Sequence, residues 1–316
     1  MFSTYDLKSF SKRLKEIRKS CGYTQENVVA GTGLSTETLR KLENGLVIPR
    51  YDTIEILSLF YKTDLQSVLN NYKSSKELIK YYEIIDICLT SNDQSTLKIV
   101  LEDFENFAKK EDINLIERRE LKQLELFLNG LKLSYSDYYN PEIQRQAIQI
   151  YINALQSLNP TFKYEFWQEF KYNYLELRIL FAIAGLEGFL RNCIQSNDLL
   201  EYILKALDMS VYSKHNDKLL ATKAISLLAY NFHRIDDHVK ALEFAEQGIE
   251  FCRKFFIMSD LPMILVRKGV AMYFLQLPNY EAFFDQAITL LLIQGREDYA
   301  EFYRQSVMRY RKTPQN

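Results

Sequence analysis

Residues Thr24–Gly45 read TQENVVAGTGLSTETLRKLENG. Thr24 is a good helix N-cap, with Gln25 and Glu26 in the first turn and Val28 and Val29 facing inward, until Gly31-Thr32-Gly33 breaks the chain. Ser35 caps again, Leu39 and Leu42 supply a buried face, and Asn44-Gly45 closes the segment. Two short helices joined by a glycine turn are the arrangement in which the second helix is presented to a DNA major groove. If Ser35 starts that helix, Thr36 and Glu37 are exposed in its first turn and Arg40 and Lys41 in the next.

The flanks agree. Phe10, Leu14 and Ile17 recur at helical spacing from near Asp6 to Cys21-Gly22. Beyond Pro49, Asp52 can cap a helix carrying Ile54, Leu57 and Phe60, and Asp64 one carrying Leu65, Val68 and Leu69. Five helices thus precede the polar joint Asn70-Asn71-Tyr72-Lys73-Ser74-Ser75, which divides the chain into residues 1–72 and 73–316. Net charge is −1, but residues 5–42 hold eight cations against four anions, an asymmetry that favours nucleic acid at this end.

The pattern TQ, glycine turn, second helix and terminal LENG resembles the helix-turn-helix of the XRE (Cro/C1-type repressor) family, over about residues 8–70. The resemblance implies a double-stranded DNA operator as partner. It implies Gln25 and Asn44 as phosphate ligands, Thr36, Glu37, Arg40 and Lys41 at base-reading positions, and Glu43 as structural. The capped N-termini at Thr24 and Ser35 turn free backbone N–H groups toward phosphates. Glu37 has two readings: it accepts from a cytosine amine, or it supports Arg40 and Lys41.

The remainder reads as helix after helix, all-α: Leu78–Leu89, Ser95–Lys109, Ile116–Leu133, Pro141–Leu158, Tyr164–Ala184, Gly188–Gln195, Asp198–Tyr212, Asp217–Phe232, His238–Phe255, Leu261–Leu275, Tyr280–Ile293 and Glu297–Tyr310. Breaks are expected at Asn140-Pro141, Asn159-Pro160, Ser196-Asn197-Asp198, Asp236-Asp237 and Pro278-Asn279. Leu228-Ala229 and Phe232, followed by Ala241, Ala245 and Gly248, resemble the tetratricopeptide pattern, and Ala271, Phe274, Phe283, Ala287 and Leu290 repeat it imperfectly. The expectation is a degenerate tetratricopeptide-like α-superhelix, with an irregular helical bundle as the alternative.

A superhelix of this kind offers its inner face to an extended peptide, whose backbone needs Asn or Gln side chains and whose carboxylate needs a cation. Candidates are Asn173 and Arg178 in FKYNYLELR and Ser226, Tyr230, Asn231 and His233 in SLLAYNFHR, with Ser226, Tyr230 and His233 aimed inward more clearly than Asn231. Head and array together resemble the cytoplasmic peptide-pheromone receptors of Gram-positive bacteria, the Rgg, PlcR, NprR and PrgX group, with plan and length most like PrgX and Rgg. That resemblance implies a homodimeric transcription regulator whose DNA affinity responds to a short signalling peptide.

Other classes fit less well. No stretch of 18 apolar residues and no charged-then-apolar N-terminus is present, so no membrane partner and a cytoplasmic location are expected. Cys21, Cys88, Cys193 and Cys252 form no CxxC pair, and GxGxxG, GxxxxGKS and GxSxG are absent. His233 and Asp237 share a helical spacing across an apparent loop, too little for a metal site. Neither an enzyme nor a cofactor is expected. Two alternatives stay open: a protein-interaction scaffold with a degenerate head, and a repressor with no peptide ligand.

Overall fold

The computed structural model describes residues 5–70, 72, 81, 84–85, 87–88, 94–109, 115–207 and 215–311. The chain divides into two compact units, Met1–Ile85 with Glu111–Glu117 and Asp86–Lys110 with Arg118–Asn316. The expected joint after Asn70 and most of the expected helix Leu78–Leu89 lie outside the described residues.

In the first unit the helices are α1 (Leu7–Ser20), α2 (Gln25–Thr32), α3 (Thr36–Glu43), α4 (Tyr51–Tyr61) and α5 (Leu65–Asn70). Their apolar stripes meet in one core of Phe10, Leu14, Ile17, Val28, Leu39, Leu42, Ile54, Leu57, Tyr61, Leu65 and Leu69. Local chemistry sets the ends. Thr24 and Asn27 form a capping box on α2, and the Ser35 hydroxyl accepts from the Thr38 N–H on α3, each cap contributing about 1 kcal/mol. Between these helices Gly33 sits at φ +72°, a left-handed turn that glycine adopts without strain. Asp52 caps no helix end; the α4 cap position is Arg50, and Asp52 stands in the first turn.

The second unit contains α6 (Gln94–Ala108), α7 (Leu115–Ser136) from Arg118 onward, α8 (Pro141–Leu158), a 3-10 turn (Tyr164–Glu169), α9 (Tyr174–Phe189), α10 (Cys193–Ala206), α11 (His215–Arg234), α12 (His238–Phe255), α13 (Leu261–Phe274), α14 (Tyr280–Ile293) and α15 (Glu297–Val307). From α8 to α15 each helix packs on the next, and α11 also packs on α9 and α13, the neighbour and next-neighbour contacts of a stack of helix pairs. Ala229, Ala241 and Ala245 are buried at these crossings, and a Cβ on Gly248 would lie 3.0 Å from Ile225 and 3.1 Å from Ile264. Small residues therefore let α11, α12 and α13 approach closely. Among the described residues there is no extended strand, and no helix is long and apolar enough to cross a membrane.

Three expected elements differ. Tyr164–Ala184 is not one helix: the chain runs extended at Phe170, and Asn173 restarts the helix with a capping box to Glu176. Gly188–Gln195 is no separate helix, since α9 runs to Phe189 and α10 starts at Cys193. Ser196-Asn197-Asp198 is no break either. It lies inside α10, where Ser196 and Asn197 are buried and hydrogen-bonded to Asn231, which meets the polar demand a loop would have met with water.

Candidate nucleic-acid interface and ligand cavity

In the first unit Glu43, the last residue of α3, is 1% exposed. It takes a two-pronged ion pair from Arg18 of α1, Nε at 2.6 Å and Nη2 at 3.1 Å, and a hydrogen bond from the Gln25 amide of α2 at 2.7 Å. One carboxylate thus fixes three helices. The pairing raises the Arg18 pKa above its already high value, and burial, with the Glu43 charge next, pushes the Tyr61 phenol up. Gln25, expected on phosphate, therefore has its amide nitrogen committed to Glu43 and acts first as a brace between α2 and α3. At the other end of α3 the Asn44 amide oxygen accepts from Lys15 at 3.0 Å.

The outer surface of α3 carries Thr36, Glu37, Arg40 and Lys41, all exposed. The Glu37 carboxylate holds Arg40 through Nε at 2.8 Å and Nη2 at 2.9 Å, and stands 3.4 Å from Lys41. The Arg40 hydrogen bonds draw the Glu37 pKa down to about 2, so it is ionised at any ordinary pH. Of the two readings of Glu37, support of the cations is the one these contacts satisfy. Water competes with every bond in this cluster, so nucleic acid can displace Glu37 cheaply.

In the second unit α7, α9, α11 and α13 each turn one face toward a common cavity of about 380 Å³, the scale of a small-ligand site. Four of the expected residues line it: Arg178 on α9 and Ser226, Tyr230 and Asn231 on α11. Two do not. Asn173 spends its side chain capping α9, accepting from the Glu176 N–H at 3.0 Å. His233 lies outside the lining; its Nδ1 is 3.0 Å from Nδ1 of His238, and both rings pack on Phe274. The lining positions on α11 are 223, 226, 227, 230, 231 and 234; His233 comes near the end of that helix, two turns after Ser226, and its ring is taken up by His238 and Phe274 instead.

Asn231 is fully buried, and its amide nitrogen donates to Ser196 Oγ at 2.7 Å and to Asn197 Oδ1 at 2.9 Å. Ser196 donates its own proton to the Ala184 carbonyl, so toward Asn231 it can only accept, and this sets the orientation of the Asn231 amide. Its Oδ1 is left without a partner, beside Gly188, where a Cβ would come within 2.9 Å of it. Sequence reasoning missed Tyr135, Tyr138, Lys223, Arg234, Asp260 and Arg267, which also line it. The signal was present: 178, 181, 185 and 188 on α9, and the cap residue 260 with 263 and 267 of α13, recur every three or four residues, as 223, 226, 230 and 234 do on α11.

Fold and sites together define a class: a helix-turn-helix head followed by an array of paired helices around a cavity. Residues 14–68 match the helix-turn-helix family model, and no curated protein matches the chain. Among solved structures the fold is that of Bacillus thuringiensis PlcR in complex with the peptide PapR7 and DNA, at TM-score 0.72 and 16% identity over 94% of this chain and 99% of that one. ComR from S. thermophilus, in complex with DNA and its signalling peptide ComS, aligns at TM-score 0.59 and 14% identity over 95% and 99%. The Streptococcus dysgalactiae SHP pheromone receptor Rgg2 aligns at TM-score 0.57 and 13% identity over 94% and 100%. Among the described residues no group of three or more His, Cys, Asp or Glu is arranged to hold a metal ion.

Proposed function

We propose that the chain is a cytoplasmic, homodimeric transcription regulator whose binding to operator DNA responds to a short signalling peptide held in the cavity of the helical array. In this reading residues 1–72 are the DNA-binding head and 73–316 the peptide-binding and dimerising part. Arg40 and Lys41, with Thr36 and Glu37, face base edges, while Thr24, Ser35, Gln25 and Asn44 face phosphates. In the array Arg178, Ser226, Tyr230 and Asn231 face the peptide.

The observation that carries the reading is the cavity that Arg178, Ser226, Tyr230 and Asn231 line in a chain that also bears a helix-turn-helix. Its wall offers side chains that donate and accept, which the unpaired backbone of an extended peptide needs. The three PlcR, ComR and Rgg2 structures add support, two of them by their bound DNA and peptide. The head is tested with duplexes selected from a random pool. Arg40→Ala with Lys41→Ala abolishes retention while helicity and oligomer mass stay as in the parent, and parent binding weakens steeply with salt because phosphates shed counterions. Unchanged binding by the double variant would place the recognition surface elsewhere.

A further inference from the structure

The cavity wall is electrically one-sided. Its lining holds Arg178, Lys223, Arg234 and Arg267, and among the described lining residues the one acid is Asp260. Asp260 is 1% exposed, with one oxygen paired with Lys223 at 3.0 Å and the other accepting from Ser259 at 3.3 Å, and it makes no ion pair with Arg234 or Arg267. Arg267 lies with its guanidinium carbon 4.1 Å above the Tyr230 ring, and Arg234 approaches the same ring at 5.6 Å while donating to the Gly188 carbonyl. Stacking occupies the face of a guanidinium and leaves its N–H groups, which lie in the plane, to make hydrogen bonds. The Arg267 Nε is buried and has no such bond.

From this, and resting on the peptide reading above, we infer that the cavity selects its peptide by a carboxylate, seated against Arg267 and Arg234 beside Tyr230. A planar fork of N–H donors matches the two oxygens of a carboxylate, and an arginine held in a cavity without a counter-ion favours an anionic ligand over a neutral one. Two sources have this chemistry: a free C-terminus, and an Asp or Glu side chain.

The test uses the full chain and three pools of random heptapeptides. The first has free C-termini and lacks Asp and Glu, the second is C-terminally amidated and lacks them, and the third is amidated and contains them. Peptides that co-elute with the protein are measured by mass spectrometry. One charge-assisted contact retains the carboxylate-bearing pool about tenfold over the second. Enrichment of the first pool identifies the C-terminus, and enrichment of the third alone identifies a side chain. Arg267→Gln with Arg234→Gln erases the preference, and Arg267→Lys, which keeps charge without the fork, reduces it even if the double variant folds poorly. Equal retention of all three pools overturns the inference and leaves the peptide reading standing. Retention of none overturns both.

Discussion

Each unit places a polar residue in the middle of its helices, and the two are finished differently. In the head, Glu43 receives both prongs of Arg18 and the Gln25 amide. In the array, Asn231 donates to Ser196 and Asn197 and leaves its own Oδ1 without a partner. A closed network makes three helices rigid, as a surface must be if it is to meet a duplex of fixed geometry. An open one leaves a buried acceptor unsatisfied, which is destabilising. The network of the head is complete and that of the array is not.

The largest effect is expected where the closed network is cut. Glu43→Ala leaves the Arg18 guanidinium, 11% exposed, without its counter-ion, and breaking a buried pair in this way destabilises by about 3–5 kcal/mol. Hydrogen exchange should lose protection across residues 5–70 while helices α9–α13 keep theirs. Parent-like protection in the head would mean that Glu43 ornaments the core rather than joins it. Next in size is Asn231→Ala, which removes two buried donors and exposes neither partner to water, at about 1–3 kcal/mol. Its urea midpoint falls. If the orphan acceptor serves a ligand, the protection a bound peptide gives against urea falls with it; a variant that is less stable yet equally protected by peptide would separate Asn231 from the ligand.

The same contrast explains what the sequence revealed. The helix ends around the turn of the head were legible because their signals are local: Thr24, Ser35 and Gly33 act within one turn of their own position, whereas the expected cap at Asp52 was misplaced by two residues. In the array the helices Pro141–Leu158, His238–Phe255 and Tyr280–Ile293 were equally plain, each with a Pro, Asp or Asn at its start. The errors came where polar residues answer to distant partners. Ser196 and Asn197 carry turn chemistry in their side chains, and it is answered inside the helix by Asn231, more than thirty positions away, and for Ser196 also by the Ala184 carbonyl. The capping box of Asn173 and Glu176 was local and readable, but a continuous apolar pattern from Tyr164 onward masked it. The cavity required knowing that α9, α11 and α13 share a wall, and helical phase is fixed by packing of the whole array.

A smaller effect appears with pH. Burial, with His238 and Arg267 beside it, holds the His233 pKa down to about 4; Arg309 adds to this and Asp236 opposes it. The native state therefore resists a proton that the unfolded chain accepts near pH 6.5. Its contribution to stability is complete above that pH and is lost as pH falls from about 6.5 toward 4. His233→Phe, which keeps a ring against Phe274, should flatten the decline in melting temperature over that window, and an undiminished slope would assign it to other groups.

The least disturbance to the fold is expected at Glu37, and it sharpens the contrast most, because here the head has an exposed cluster closed on itself. Glu37→Gln removes the carboxylate that occupies Arg40 and faces Lys41, in full contact with water, so the melting temperature should barely move. DNA binding should change more. With both cations released, affinity for arbitrary duplexes rises, and if one more phosphate is neutralised the log–log salt slope steepens by about 0.9. The two readings of Glu37 then part. If it only restrains the cations, affinity for the selected operator rises in step and specificity is diluted. If it also accepts from a cytosine, operator affinity falls while affinity for arbitrary duplexes climbs, and the loss is confined to sites carrying that cytosine. Binding isotherms on an operator and its single-base variant, at two salt concentrations, distinguish them. A variant that binds every duplex like the parent would show that the pairs across α3 hold nothing back from DNA.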